Sequence, residues 1–237
     1  MSVPQNSDLA SVSSLGDPVR HRLYAVVSGR SEPVGRDEAA RAAGIDRALA
    51  AYHLDKLVET GLLTATYGRP EGRTGPGAGR PAKLYSRSDR EFAVSVPPRD
   101  YELAARLLVR AVEADPSGRS RAALGAAAHQ LGTELGGQVA SRQSPHTSGN
   151  DAPGPQQRDL EAVLAAYGYE PERCADDVTR LRNCPFHQLV QQHRDTVCGM
   201  NLALIDGVTA GLQASTLRAV LDPQPGYCCV TIGTDRS

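Results

Sequence analysis

The chain lacks any apolar run of the roughly 18 to 20 residues that a membrane span requires, so no bilayer-crossing helix is expected. Its first residues, MSVPQNSDLASVSS, lack the charged-then-apolar order of a secretory signal, which predicts a cytoplasmic setting. Cysteine is absent from the first 173 residues, and the total of five argues against a disulfide framework. In a reducing compartment thiols more often serve metals or redox chemistry. No Gly-x-Ser-x-Gly is present, and "GPGAGRP" lacks the Gly-Lys-Ser/Thr ending of a phosphate loop, so no enzyme is expected. Net charge is nearly absent as well, at -1, but that balance hides a local excess. Between Arg69 and Arg90 stand Arg69, Arg73, Arg80, Lys83, Arg87 and Arg90 against only Glu71 and Asp89, which is where a polyanion would be drawn.

At 237 residues the chain is long enough for two compact units. Residues 1–14 read as a disordered tail. "GDPVRHRLYAVVSGR" predicts a helix, with Asp17 as its cap and Pro18 in the first turn. "VGRDEAARAAG" predicts a short second helix ending at Gly44, and "DRALAAYHLDKLVETG" a third, capped by Asp46 and stopped at Gly61. Strand-like "LLTATY", a Gly/Pro/Arg-rich loop and strand-like "AKLYSR" complete the order of a winged helix-turn-helix over 15–92. Two Ala/Leu-rich helices follow over 98–141, with Leu103, Leu107 and Ala111, then Leu124, Ala127, Leu131 and Leu135 at helical spacing. Residues 142–158 read as a flexible linker, and 159–237 as a small Cys-rich α/β domain in which "FHQLVQQH" and "CGMNLALIDGVTAGL" predict two separate helices. The expected fold class is therefore α+β.

In a helix-turn-helix the second helix enters the major groove. With Ala50, Leu54 and Leu57 facing inward, Arg47, Ala48, Ala51, Tyr52 and Asp55 face out. Arg47 is suited to guanine O6 and N7, Ala51 to a thymine methyl, and Tyr52 and Lys56 to the DNA backbone. Arg69, Arg73, Arg80 and Lys83 on a glycine-rich arm suit a narrow, electronegative minor groove. Double-stranded DNA is thus the expected partner.

"LGDPVRHRLYAVV", "AAYHLDKLVETGLL" and "GRPAKLY" resemble the DNA-binding half of bacterial winged-helix repressors of the ArsR and DeoR-like type. Together with "NCPF" and "VCGMN" they resemble the SufR-like regulators of iron–sulfur cluster assembly, over roughly residues 15 to 232. The resemblance implies a homodimer on an inverted-repeat operator, with the helices between 100 and 140 as its seam. It also implies an iron–sulfur cluster held by thiolates, which are soft ligands for iron. Cys184 and Cys198, with 13 residues between them, match the family's central pair. Cys174 and Cys228 (or Cys229) then complete the set, the first nearer and the second farther along the chain than the family pattern.

Two further readings stay open. Cys184, His187, Cys198 and one of Cys228 or Cys229 form a zinc set, with His193 to spare. A metal-free thiol switch, or a terminal domain that takes a small organic effector, would also suit a DNA-binding regulator.

Overall fold

The computed structural model describes residues 6–68, 81–95, 99–141, 154–174 and 178–234. The fold is mixed α+β, and the chain divides into two compact units, Met1–Arg99 and Asp100–Ser237.

In the first unit, α1 (Asn6–Ser14) precedes α2 (Pro18–Ser28), β1 (Val34–Gly35), α3 (Arg36–Ala43), α4 (Arg47–Glu59), β2 (Leu63–Gly68) and β3 (Ala82–Arg87). The Asp17 carboxylate accepts from the amides of Val19 and Arg20 at 2.8 and 3.0 Å, so α2 starts at Pro18. Asp46 does the same for α4, accepting from Ala48 at 2.7 Å. Gly44 closes α3 with a φ of +65°, the left-handed turn that a side chain disfavours and that swings α4 away from α3. The strands form an antiparallel sheet in the order β1-β3-β2. Leu23, Val27, Ala39, Ala43, Ala50, Leu54, Leu57 and Tyr85 are buried in one core between the helices and this sheet.

The second unit opens with α5 (Tyr101–Glu113) and α6 (Arg119–Ala140), followed by α7 (Pro155–Ala166), β4 (Pro171–Arg173) and β5 (Thr179–Leu181). It closes with α8 (His187–Gly211), β6 (Leu217–Leu221) and β7 (Val230–Thr234). The sheet is antiparallel in the order β4-β5-β7-β6. Leu160, Leu164, Leu181, Ile205, Val230 and Ile232 make its core. The axis of this unit is the α6–α8 crossing. Gly132 and Gly136 of α6 meet Gly207 and Gly211 of α8 so closely that a Cβ on Gly207 would lie 2.1 Å from the His129 carbonyl oxygen. Residues four apart share a helix face, so the paired glycines clear one stripe on each helix.

Four expectations change. Within the tail, Asn6–Ser14 is helical, held where Ser11 Oγ donates to the Thr60 carbonyl at 2.7 Å. Of the linker, 142–153 lie outside the described residues, while Pro155–Arg158 form the first turn of α7, where proline is tolerated. The two helices expected around Cys198 are one helix, α8, kinked at His193 (φ -132°, ψ 40°). The helical segment 98–141 and the terminal domain 159–237 fall in a single unit, because α6 and α8 pack backbone against backbone. Among the described residues no helix is long and apolar enough to cross a membrane.

Candidate functional site

The first unit offers the outer face of α4. Arg47 is exposed at its first turn and pairs with Asp37 of α3. Tyr52 stands 57% exposed, Ala51 is half-buried beside it, and the Lys56 ammonium lies 5.9 Å from the Tyr52 ring centre while bonding Glu59 at 2.6 Å. These groups form a continuous outward surface because Ala50, Leu54 and Leu57 occupy the opposite, buried face. His53, which the sequence reading did not single out, is also buried and stacks edge-on against Tyr52.

Lys83 sits differently from expectation. Its side chain is largely covered, and its ammonium donates to Asp55 at 2.7 Å. Tyr85 O–H donates to the same carboxylate at 2.8 Å, and Arg36 Nε donates to Tyr85 at 2.9 Å. Burial alone would raise the Asp55 pKa; the bonds from Lys83 and Tyr85 and the nearby cations outweigh it and hold the carboxyl below its ordinary value. Lys83 therefore braces α4 against β3 instead of standing out from the loop. Arg69, Arg73 and Arg80 lie outside the described residues.

The second unit gathers thiols. Cys184 stands just before α8, Cys198 lies within it, and Cys228 and Cys229 directly precede β7. Long-range pairing puts the last two in place. The Cys228 amide donates to the Leu181 carbonyl at the end of β5, and the Cys229 carbonyl accepts from Asp222 just past β6, both at 2.8 Å. The thiols then meet as two pairs. Cys184 lies against Cys228, and Cys198 against Cys229. Electrostatic coupling also crosses between the pairs, from Cys229 to Cys184 and from Cys228 to Cys198.

Their protonation follows from this geometry. The bond to Cys228, reinforced by burial, pushes the Cys184 thiol well up, against the lowering effect of the Phe186 amide at the helix start. Burial first, then the bond to Cys229, raises Cys198 to about 12. Cys228 moves the other way, to about 7. The Cys184 thiol leads this shift, opposed by burial, and the amides of Val230 and Cys229 and the Asn201 side chain add to it. Of this pair, Cys184 holds its proton the more firmly, despite the amide at the helix start, and Cys228 gives its proton up the more readily.

The expected outer ligand Cys174 belongs to neither pair. It follows β4, where its amide bonds Val178 at 2.8 Å, while Cys184 lies beyond the opposite end of β5. Its Sγ is 4.0 Å from the Glu172 carbonyl. Cys229 is the fourth thiol of the group. His187 is exposed and its ring meets Gln191 one turn on, at 3.1 Å, along the helix surface. His193 turns to α5, where its Nδ1 lies 2.8 Å from Glu113 and Thr196 donates to the same carboxylate at 3.0 Å. Two residues of the cluster were missed. Asn201 had a signal, lying three residues after Cys198 and hence on the same helix face. Tyr169 had none.

No three His, Cys, Asp or Glu groups among the described residues already stand in metal-ligand geometry. The chemistry of the donor set nevertheless fits a soft metal: four thiols, three of them buried and one half-buried, with amide donors directed at one sulfur. Such a set suits iron–sulfur or zinc and not a hard cation that requires oxygen ligands. Elsewhere in this unit a cleft of about 310 Å³ lies between the end of α8 and the start of β6, lined by Asp206, Thr209, Gln213, Ser215 and Arg218. Compared with protein-family models, curated proteins and solved structures, the chain has no match in any of the three.

Proposed function

We propose that the protein is a DNA-binding transcriptional regulator, in the manner of a repressor, whose operator binding is set by an iron–sulfur cluster held by Cys184, Cys198, Cys228 and Cys229. The observation that carries the sensor is the grouping of these four thiols, drawn from three separate segments of the second unit. Support for the reader comes from α3, the left-handed Gly44 turn and α4, followed by the β2–β3 pair: the order of a winged helix-turn-helix. On this reading Arg47, Ala51, Tyr52 and Lys56 meet the major groove, and Arg69, Arg73 and Arg80 follow the backbone or minor groove.

A second copy is the natural companion. Leu103, Leu107 and Leu108 of α5 are 52 to 69% exposed, an apolar face that favours pairing over contact with water. A homodimer built on it would present two α4 helices to the half-sites of an inverted repeat.

When bound, the cluster would supply a thiolate-ligated centre whose loss or oxidation reports on iron and oxidant. The chain's own residues do the coupling. Cys198 lies on α8, which is locked to α6 through the glycine crossing and tied to α5 by His193 and Glu113. A shift of α8 therefore reaches the helix that carries the dimer leucines. Coupling of about 1 to 3 kcal/mol would change operator occupancy several-fold to a hundredfold.

Protein isolated without oxygen is expected to be coloured and to contain iron. On duplexes selected from a random pool, it should bind at least fivefold differently from the metal-stripped form at fixed salt. Equal affinity of the two forms ends the sensor reading. Zinc is the second reading, favoured by the close pairing of the thiols. It predicts colourless protein with one zinc per chain and DNA affinity that does not follow the metal.

A further inference from the structure

We infer that Asn201, oriented by Tyr169, is a positioning residue for the thiol site: its amide holds and aims the Cys228 sulfur that a metal centre binds. The inference rests on the metal-site reading above. Asn201 lies in the middle of α8 and is 1% exposed, with Ile205 buried one turn further along the helix. A leucine of similar size would fill that place without the cost of burying an amide, so the amide is explained by what it bonds.

Both ends of it are engaged. Tyr169 O–H, itself buried, donates to Asn201 Oδ1, and Asn201 Nδ2 donates to Cys228 Sγ at 3.3 Å. The two ends of an asparagine amide have the same shape, and the partner of one end decides the other. A tyrosine hydroxyl that donates to the oxygen leaves the N–H₂ group facing the sulfur. Tyr169 is held in turn by the Phe186 ring, edge-on at 6.5 Å, at the start of α8. The relay therefore joins the chain before β4, the middle of α8 and the chain before β7 at one sulfur atom.

A donor aimed at a sulfur is useful when that sulfur is charged. The bond lowers the energy of the thiolate lone pairs and fixes their direction, as outer partners of metal ligands do. The relay also has a direction. An aspartate at 201 offers Cys228 only acceptor oxygens and a like charge.

The test uses the full chain, reduced and stripped of metal, with Co²⁺ as the probe. Thiolate-to-cobalt charge-transfer absorption reports sulfur ligation, and competition by Zn²⁺ gives relative affinity. Asn201→Asp is expected to weaken binding roughly 10- to 100-fold, the usual effect of removing an outer partner of a metal ligand. Tyr169→Phe, which deletes one oxygen and keeps the ring packing, should weaken it less, about three- to tenfold. Both should move the charge-transfer band to lower energy, because the sulfur has lost its donor. A purely structural role would leave the band in place. If both variants match the parent in affinity and band position, the relay is overturned while the metal site stands. A parent that shows no thiolate-to-cobalt band at all overturns the metal-site reading beneath it. If Asn201→Asp fails to fold by circular dichroism, the band and affinity of Tyr169→Phe decide the matter alone.

Discussion

Adding one methyl group at Gly207 is the sharpest perturbation of the second unit. A Cβ there would sit 2.1 Å from the His129 carbonyl oxygen and 3.0 Å from its Cα. Ordinary contact needs over 3 Å, so α6 and α8 must separate by about 1 Å along a stretch where the other three glycines also touch backbone. Forcing a methyl into a filled space costs about 1 to 3 kcal/mol and more where backbone must yield. Exchanging glycine for alanine inside a helix returns about 1 kcal/mol. We therefore expect Gly207→Ala to destabilise the second unit by about 2 kcal/mol, the upper end of the difference because backbone must yield, a drop in its melting temperature of roughly 5 to 8 °C. Gly125, Gly137 and Gly199 lie on the same two helices, and a methyl group on any of them would meet nothing within 4 Å. Their alanine variants should gain up to about 1 kcal/mol each from helix propensity alone. Calorimetry on the full chain reads both signs. A Gly207→Ala protein as stable as Gly199→Ala would refute the close-approach argument.

Asp55 is held below its ordinary pKa, so the stability it contributes is present above its unfolded value of 3.8 and fades as pH falls through its lower folded value. Asp55→Asn should cost about 1 kcal/mol near pH 7 for a half-exposed site, with the gap to the parent closing below about pH 4; a gap constant from pH 3 to 7 would contradict this. Cys198→Ser should abolish tight metal binding by the full chain while Cys174→Ser keeps it, as measured by Zn²⁺ titration, and equal losses would restore Cys174 to the ligand set. Leu107→Glu, at a side chain 58% exposed, should leave the melting temperature within about 2 °C yet shift sedimentation toward monomer. Arg47→Ala should weaken duplex binding and reduce the slope of log affinity against log salt by about one if the guanidinium neutralises a phosphate, or leave the slope and relax base preference if it reads guanine.

Local signals carried far in the first unit and less far in the second. Asp17, Pro18, Asp46 and Gly44 act on amides within a few residues, so α2, α3 and α4 follow from neighbours in the chain. The inward set Ala50, Leu54 and Leu57 follows from helical spacing alone. The strands β1 and β4 escaped notice because two- and three-residue strands have no period to detect; they exist through the strands they pair with.

What the amino-acid order determined by itself is the set of helices with strong caps, the mixed α+β class and the confinement of every thiol to the last third of the chain. Tertiary structure alone decided which thiols meet, that Lys83 turns to Asp55, and that four glycines form the α6–α8 crossing. The physical reason is range. A cap or a stripe is a relation between residues three or four apart, whereas Cys228 finds Cys184 only after β7 has paired with β5 and the Leu181 carbonyl has taken its amide.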